Sequence, residues 1–286
     1  LLSDKIDKYA SANIETIHKL SSNRQDLVVN LRISDIHHHV FCSQFADKYF
    51  LAHETQTPFD SLVTHMSPLG PKAHVKEYHQ RLIGVLGLKI EASPSIYCTK
   101  DEKVWAASIL SRKTPQVAIF TGAGVPIKQW PEKNFIELCK RLNNIGLKPL
   151  ILGTDSEKNL SQKAEQMAEV VNLVGMTSSL GQLAAILERV TLLVSNDSAP
   201  VHIADAMGTR TIVLTKPNSK KEFSPWNSGH SILSRRKCNW NMNCPGFVFE
   251  RSESLPKRCK CLESLSVDEV EQSILKQLRD LLMSRG

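Results

Sequence analysis

Between residues 116 and 214, short apolar runs alternate with longer stretches in which apolar residues recur every three or four positions. Residues 116–120 (QVAIF) predict a buried strand that enters a tight turn at Thr121-Gly122-Ala123-Gly124. Pro131 suits the first turn of a helix, where its missing N–H costs nothing. Phe135, Leu138, Cys139 and Leu142 carry that helix forward at helical spacing, and Gly146 stops it. Residues 148–152 (KPLIL) predict the next strand, with Gly153 and Asp155 at its carboxyl end. The alternation continues with a helix at 156–170, a strand at 171–174, a helix at 180–190 and a strand at 191–194. A turn at 195–200, a helix through Met207 and a strand at 211–214 complete it. Strands alternating with helices imply a parallel sheet covered on both faces.

The first 110 residues are less regular. Residues 26–31 (DLVVNL) predict a buried strand, and 74–86 a helix stopped at Gly87. The segments between them read as pieces of an α/β domain, and one strand is too few for an independent sheet. A first strand and its Gly-containing turn are therefore expected ahead of Leu1. At the far end Ser266-Val267-Asp268-Glu269 has capping-box spacing. Val270, Ile274, Leu278, Leu281 and Leu282 then line one stripe of a terminal helix. The expected division is an N-terminal α/β domain over 1–112, a doubly wound domain over 113–262 and a C-terminal helix over 263–286.

Composition narrows the class. The 286 residues are 41 % apolar and 23 % charged, which excludes wholesale disorder, and no apolar run reaches membrane-span length. Seven cysteines without a secretory leader point to a reducing compartment, so a cytoplasmic location is expected. The net charge of +7 is concentrated: between 210 and 262 eleven basic residues face three glutamates. Such an excess suits an anionic partner, a phosphorylated small molecule, an acidic glycolipid or a membrane surface. Nucleic acid is not expected, because aromatics make up only 6 % and no nucleic-acid motif is present.

Two turns have the chemistry for such a partner. Ser195-Asn196-Asp197-Ser198-Ala199-Pro200-Val201-His202 lies between a strand and a helix, where exposed N–H groups suit an anion. Asp197 is expected to accept backbone N–H bonds and fix that turn, and a simple helix N-cap is the plain alternative. Gly122-Ala123-Gly124 followed by Lys128-Gln129-Trp130-Pro131 lets backbone approach a phosphate that Lys128 can neutralise. It matches neither a P-loop nor a dinucleotide fingerprint. Asp155, after a third strand, is placed to bind ribose hydroxyls. Trp130 is expected to pack beneath its turn, His202 to pack or support the site, and His74 and Tyr78 to share a helix face. The adjacent side chains of His37, His38 and His39 diverge, so a shared ion is not expected.

These residues, together with Leu152-Gly153 and Gly175-Met176-Thr177…Leu180…Leu183, resemble glycosyltransferase family 9, the heptosyltransferases of lipopolysaccharide core assembly. The resemblance is ordered from about 114 to 262 and fainter from 26 to 88. It implies an α/β fold in the GT-B arrangement of two Rossmann-like domains, the N-terminal one incomplete in this chain. The C-terminal domain would hold a nucleotide sugar, ADP-heptose, through Gly122, Ala123, Gly124, Lys128, Asp155, Met176, Thr177, Asp197, Ser198, Ala199 and His202. Lys128 would meet the donor phosphates, Asp155 the ribose, and the turn at Asp197, Ser198 and Ala199 the diphosphate. Relatives often carry a hydroxyl residue where this chain has Gly124. Their N-terminal turn bearing the catalytic base has no counterpart here, and no catalytic residue is assigned.

The implied activity is inverting transfer of a sugar to a lipopolysaccharide core or related acceptor, an anionic glycolipid or glycoprotein, at the cytoplasmic face of the inner membrane. No catalytic metal is expected. A non-catalytic nucleotide-sugar-binding or assembly subunit is the alternative, and a phosphosugar epimerase of similar shape a further one. Cys238, Cys244, Cys259 and Cys261 form a last constellation in a basic loop at 235–261, flanked by Arg235-Arg236-Lys237 and Lys257-Arg258. Four thiolates can hold zinc or iron tetrahedrally. A family subgroup that glycosylates autotransporter proteins carries an iron-binding knuckle, while reduced, partly buried thiols are the alternative.

Overall fold

The computed structural model describes residues 24–31, 36–68, 70, 73–90, 93–110, 116–215, 224–226, 229–233 and 260–283. The chain divides into two compact units, residues 1–91 and 92–286.

In the first unit β1 (Gln25–Asn30), β2 (Ala46–His53) and β3 (His65–Ser67) form a parallel sheet in that order. Helices α1 (Ile36–Ser43) and α2 (Val75–Gly84) accompany it. The run at 26–31 predicted β1; β2 and β3 went unforeseen. The first half of β2 is polar and outward, and only its last four residues are buried, so its alternation never shows. Helix α2 starts at His74, whose ring accepts the Lys76 N–H at 3.1 Å. That makes His74 a cap, while Tyr78 is buried, so the two do not share a solvent-facing stripe.

The second unit holds a six-stranded parallel sheet in the order β6-β5-β4-β7-β8-β9. Its strands are β4 (Val117–Phe120), β5 (Leu150–Leu152), β6 (Val171–Asn172), β7 (Leu192–Asn196), β8 (Arg210–Thr215) and β9 (Gly229–Leu233). Its helices are α3 (Lys100–Ile109), α4 (Glu132–Asn144), α5 (Lys158–Met167), α6 (Leu180–Arg189), α7 (Ala199–Ala206), α8 (Lys260–Glu263) and α9 (Val267–Met283). Alternate strand residues feed two cores. Val117, Ile119, Val194 and Ile212 pack under α4, α5 and α9, whereas Ala118, Phe120 and Leu193 pack under α3, α6 and α7. The expected α/β class with parallel sheets is what both units show.

The division falls at 91, not 112, because α3 packs on α6. Ala106 and Ile109 join the second core, Glu102 accepts from Ser179 Oγ at 2.6 Å, and Arg189 donates to the Leu110 carbonyl at 2.8 Å. Nor is the C-terminal helix a separate body. Ser266 and Glu269 form the predicted capping box, and Val270 and Ile274 are buried against the sheet's first core. Arg141 on α4 bonds Asp268 and Glu271, the latter at 3.2 Å, which draws its already high pKa higher still.

From β4 the chain moves outward through β5 and β6, then returns to place β7 on the other side of β4. The carboxyl ends of β4 and β7 therefore flank a topological switch point, where connections leave in opposite directions and a crevice opens.

Candidate functional site

Both predicted anion turns end at that crevice. Phe120 pairs with Ser195 across β4 and β7, so the Gly122 turn and the Asp197 turn leave the sheet side by side. Asn196, fully buried, ties them together. Its Oδ1 accepts the Trp130 N–H at 2.9 Å, and its Nδ2 donates to the carbonyls of Thr121 at 2.7 Å and Gly122 at 3.4 Å. Trp130 lies beneath its turn as expected, edge-on to Phe135, with Nε1–H donating to the Leu265 carbonyl at 3.0 Å.

Lys128 and Asp197 meet across the crevice, Nζ to Oδ2 at 3.4 Å. Asp197 thus has a lysine as its partner, not the backbone N–H groups the sequence suggested, and Lys128 keeps 27 % of its side chain exposed toward an incoming anion. Ser198 is the N-cap of α7 by position, yet its side chain makes no capping bond; Oγ donates to the Asn196 carbonyl at 3.2 Å. The plain N-cap reading is therefore not what forms. Among the described residues the N–H groups of Ser198 and Ala199 have no protein acceptor, and Ala199 is exposed.

The carboxylate beside this crevice is Glu157. It follows β5 by one turn, and a β-carbon on Gly122 would lie 3.0 Å from its carboxyl carbon. One on Gly153 would lie 2.9 Å from the Glu157 Cβ, so both glycines are what let this side chain approach. Glu157 Oε2 accepts from the Thr154 N–H at 2.7 Å and hydroxyl at 2.8 Å, while Oε1 is the oxygen nearer Gly122. Asp155 is exposed and pairs with Lys158 at 3.0 Å. The sequence signal for Glu157 was available: Thr154 and Glu157 have capping-box spacing, which turns the third residue's side chain back toward the strand end.

The other predicted residues scatter around this centre. Ala123 is half-buried and Gly124 exposed, with open space where a side chain would be. Met176 is exposed and Thr177 half-buried, in the turn after β6 at the same end of the sheet. His202 is exposed on α7. Cys238, Cys244 and Cys259, with the basic clusters at 235–237 and 257–258, lie outside the described residues. Cys261 packs in the first core, and no metal-holding group of side chains occurs among the described residues.

In the first unit a second polar group clusters at the strands' carboxyl ends. His39 bonds Asn30 at 3.2 Å and the His53 carbonyl at 2.9 Å. The His53 ring is fully buried, edge-on to Tyr78, and neither of its nitrogens has a hydrogen-bond partner among the described residues. Burial first, then the nearby His79, His39 and Arg81, push its pKa down to about 4.

Residues 47–245 match the family profile described as glycosyltransferase family 9 (heptosyltransferase). Lipopolysaccharide heptosyltransferase 2 of Salmonella typhimurium is 29 % identical over 202 residues, covering 68 % of this chain and 55 % of that protein. The chain thus spans about half the length of that curated relative. Among solved structures, a glycosyltransferase family 9 protein from Veillonella parvula superposes with a TM-score of 0.76 at 18 % identity, covering 94 % of this chain and 79 % of that one. The ADP-heptose lipopolysaccharide heptosyltransferase II of Escherichia coli does so with a TM-score of 0.66 at 19 % identity, covering 95 % and 81 %.

Proposed function

The chain belongs to glycosyltransferase family 9, the heptosyltransferases, and from that premise we propose that it transfers heptose from ADP-heptose to a lipopolysaccharide core acceptor. One observation carries the donor half of this reading. A partly exposed lysine, paired among the described residues only with a neighbouring carboxylate, stands at a switch-point crevice beside two backbone N–H groups, at a helix N-terminus, that have no acceptor among those residues. That combination suits a diphosphate.

In this reading Lys128 and the N–H groups of Ser198 and Ala199 hold the diphosphate, and Glu157 rather than Asp155 accepts from the ribose hydroxyls. The acceptor hydroxyl gives up its proton, to a base not assigned among these residues, and attacks the anomeric carbon as that carbon's bond to the diphosphate oxygen breaks, inverting the centre. The negative charge arriving on the departing ADP is met by donors already in place, which need not reorganise. The acceptor is an anionic glycolipid presented at the cytoplasmic membrane surface. No helix among the described residues is long and apolar enough to cross a bilayer, and a peripheral encounter aided by the basic segment at 210–262 is the arrangement we favour.

Titration calorimetry with ADP, followed by mass spectrometry of a heptose-deficient core acceptor incubated with ADP-heptose, tests both halves. Binding and a mass gain of one heptose are expected. ADP binding without transfer returns the reading of a non-catalytic nucleotide-sugar-binding subunit, and absence of ADP binding overturns the proposal.

A further inference from the structure

We propose that Asn196 is a positioning residue that sets the width of the donor crevice by cross-linking its two rims. At a switch point the loops after adjacent strands diverge, so ladder hydrogen bonds stop holding the two sides together just where a ligand must fit. The ladder between β4 and β7 ends at Phe120 and Ser195. The next side chain on β7 is Asn196, and it takes over. Its amide donates to the carbonyls of Thr121 and Gly122 on the β4 rim, and its oxygen accepts the N–H of Trp130.

Three segments are fixed by this one carboxamide: the glycine turn, the backbone two residues beyond Lys128, and the start of the Asp197 turn. Trp130 is itself anchored, through Nε1 to Leu265, so its end of the link does not drift. A side chain with one donor end and one acceptor end is required, because the β4 rim offers carbonyls and Trp130 offers an N–H. Leu, Ser or a carboxylate cannot meet both. Asn196 touches no reacting atom in this account; it acts through Lys128 and the N–H groups of Ser198 and Ala199, which must be correctly spaced to span one diphosphate.

This inference rests on the donor-binding reading, and the experiment separates the two. Asn196→Asp keeps the shape but, ionised, turns an oxygen toward two carbonyls; protonated, it regains a donor there. Burial favours the protonated form, so recovery should fall within an accessible pH range. The charged groups around the position are Lys128 and Asp197 on the two turns and Glu157 beside Gly122. They are common to variant and wild type, so the variant-to-wild-type ratio of ADP dissociation constants isolates Asn196.

That ratio is expected to exceed ten at pH 8.5 and to fall below three by pH 5.5, while thermal unfolding midpoints are followed in parallel. A ratio within twofold of one at pH 8.5, or a tenfold loss that does not shrink on acidification, overturns the inference. If Asn196→Asp does not fold at pH 8.5, Asn196→Ser, too short to span the rims, takes its place. Tenfold weaker ADP binding by a folded Asn196→Ser protein then supports the inference, and unchanged binding overturns it. Wild-type protein that fails to bind ADP refutes the donor reading itself.

Discussion

Replacing Lys128 by Met keeps most of the side-chain stem and removes its charge from the crevice. At 3.4 Å the Lys128–Asp197 pair has a gross attraction of about 5 kcal/mol at an effective dielectric near 20, most of which desolvation offsets. A charge-assisted hydrogen bond from Lys128 to a phosphate contributes about 1.5–3 kcal/mol net, so its loss should weaken ADP roughly ten- to 150-fold. The deletion also leaves Asp197, with only 9 % of its side chain exposed, unpaired beside an anion site. That repulsion adds to the loss and predicts a specific pattern. Asp197→Asn alone should bind ADP as well as or better than wild type, since Lys128 no longer divides its charge. The double variant should recover part of the affinity that Lys128→Met loses. Calorimetry on the four proteins, with unfolding midpoints as a control, closes the cycle. ADP affinity of Lys128→Met within twofold of wild type would refute the assignment. Additive single effects would refute the claimed coupling.

Glu157→Ala should weaken ADP binding about tenfold, whereas Asp155→Ala, removing an exposed pair with Lys158, should change it less than twofold by calorimetry; the reverse order sinks the Glu157 assignment. Below neutrality the protein should lose stability through His53. Its folded pKa of about 4 lies below the ordinary 6.5, so its contribution is complete above pH 6.5 and disappears as pH falls through 4. The loss amounts to roughly 3 kcal/mol, readable as a falling urea midpoint that His53→Leu flattens; equal slopes in both proteins refute it. If Cys238, Cys244, Cys259 and Cys261 bind a metal, protein purified without chelators should carry close to one zinc or iron per chain, and elemental analysis finding none favours reduced thiols.

The second unit was legible because its strands are buried on both faces and read as unbroken apolar runs: VAIF, LIL and LLV each coincide with a strand. Boundaries moved for local reasons. The predicted helix at 156–170 begins with a separate 3-10 turn at Asp155–Glu157, and Pro131 stands at the cap position, one residue before its helix. The first unit resisted because its strands are half-covered. Leu27 and Tyr49 remain more than 40 % exposed, and His39, His53, Asn30 and Ser67 are polar residues that nonetheless lie inside. A hydropathy pattern misreads such a strand end as a surface, since a buried histidine is hydrophilic on every scale.

At the candidate site, the sequence pointed to both turns and to Lys128 and Asp197, but not to Asn196 as the link between the turns or to Glu157 beside the glycines. Asp155 and Glu157 both follow β5 closely, and position along the chain alone does not separate them. In the turn that follows β5, Asp155 pairs with Lys158 and lies beside Gly175, while Glu157 folds back over Thr154 toward Gly122 and Gly153. The same logic separates Asn196 from Asp197. Asn196 is the last residue of β7 and bonds across to the carbonyls of the β4 rim, while Asp197, the first residue of the turn beyond the strand, meets Lys128. Function at a switch point therefore depends on which residue of a polar run is aimed where. For the turn after β5 the cap spacing of Thr154 and Glu157 already encodes that choice.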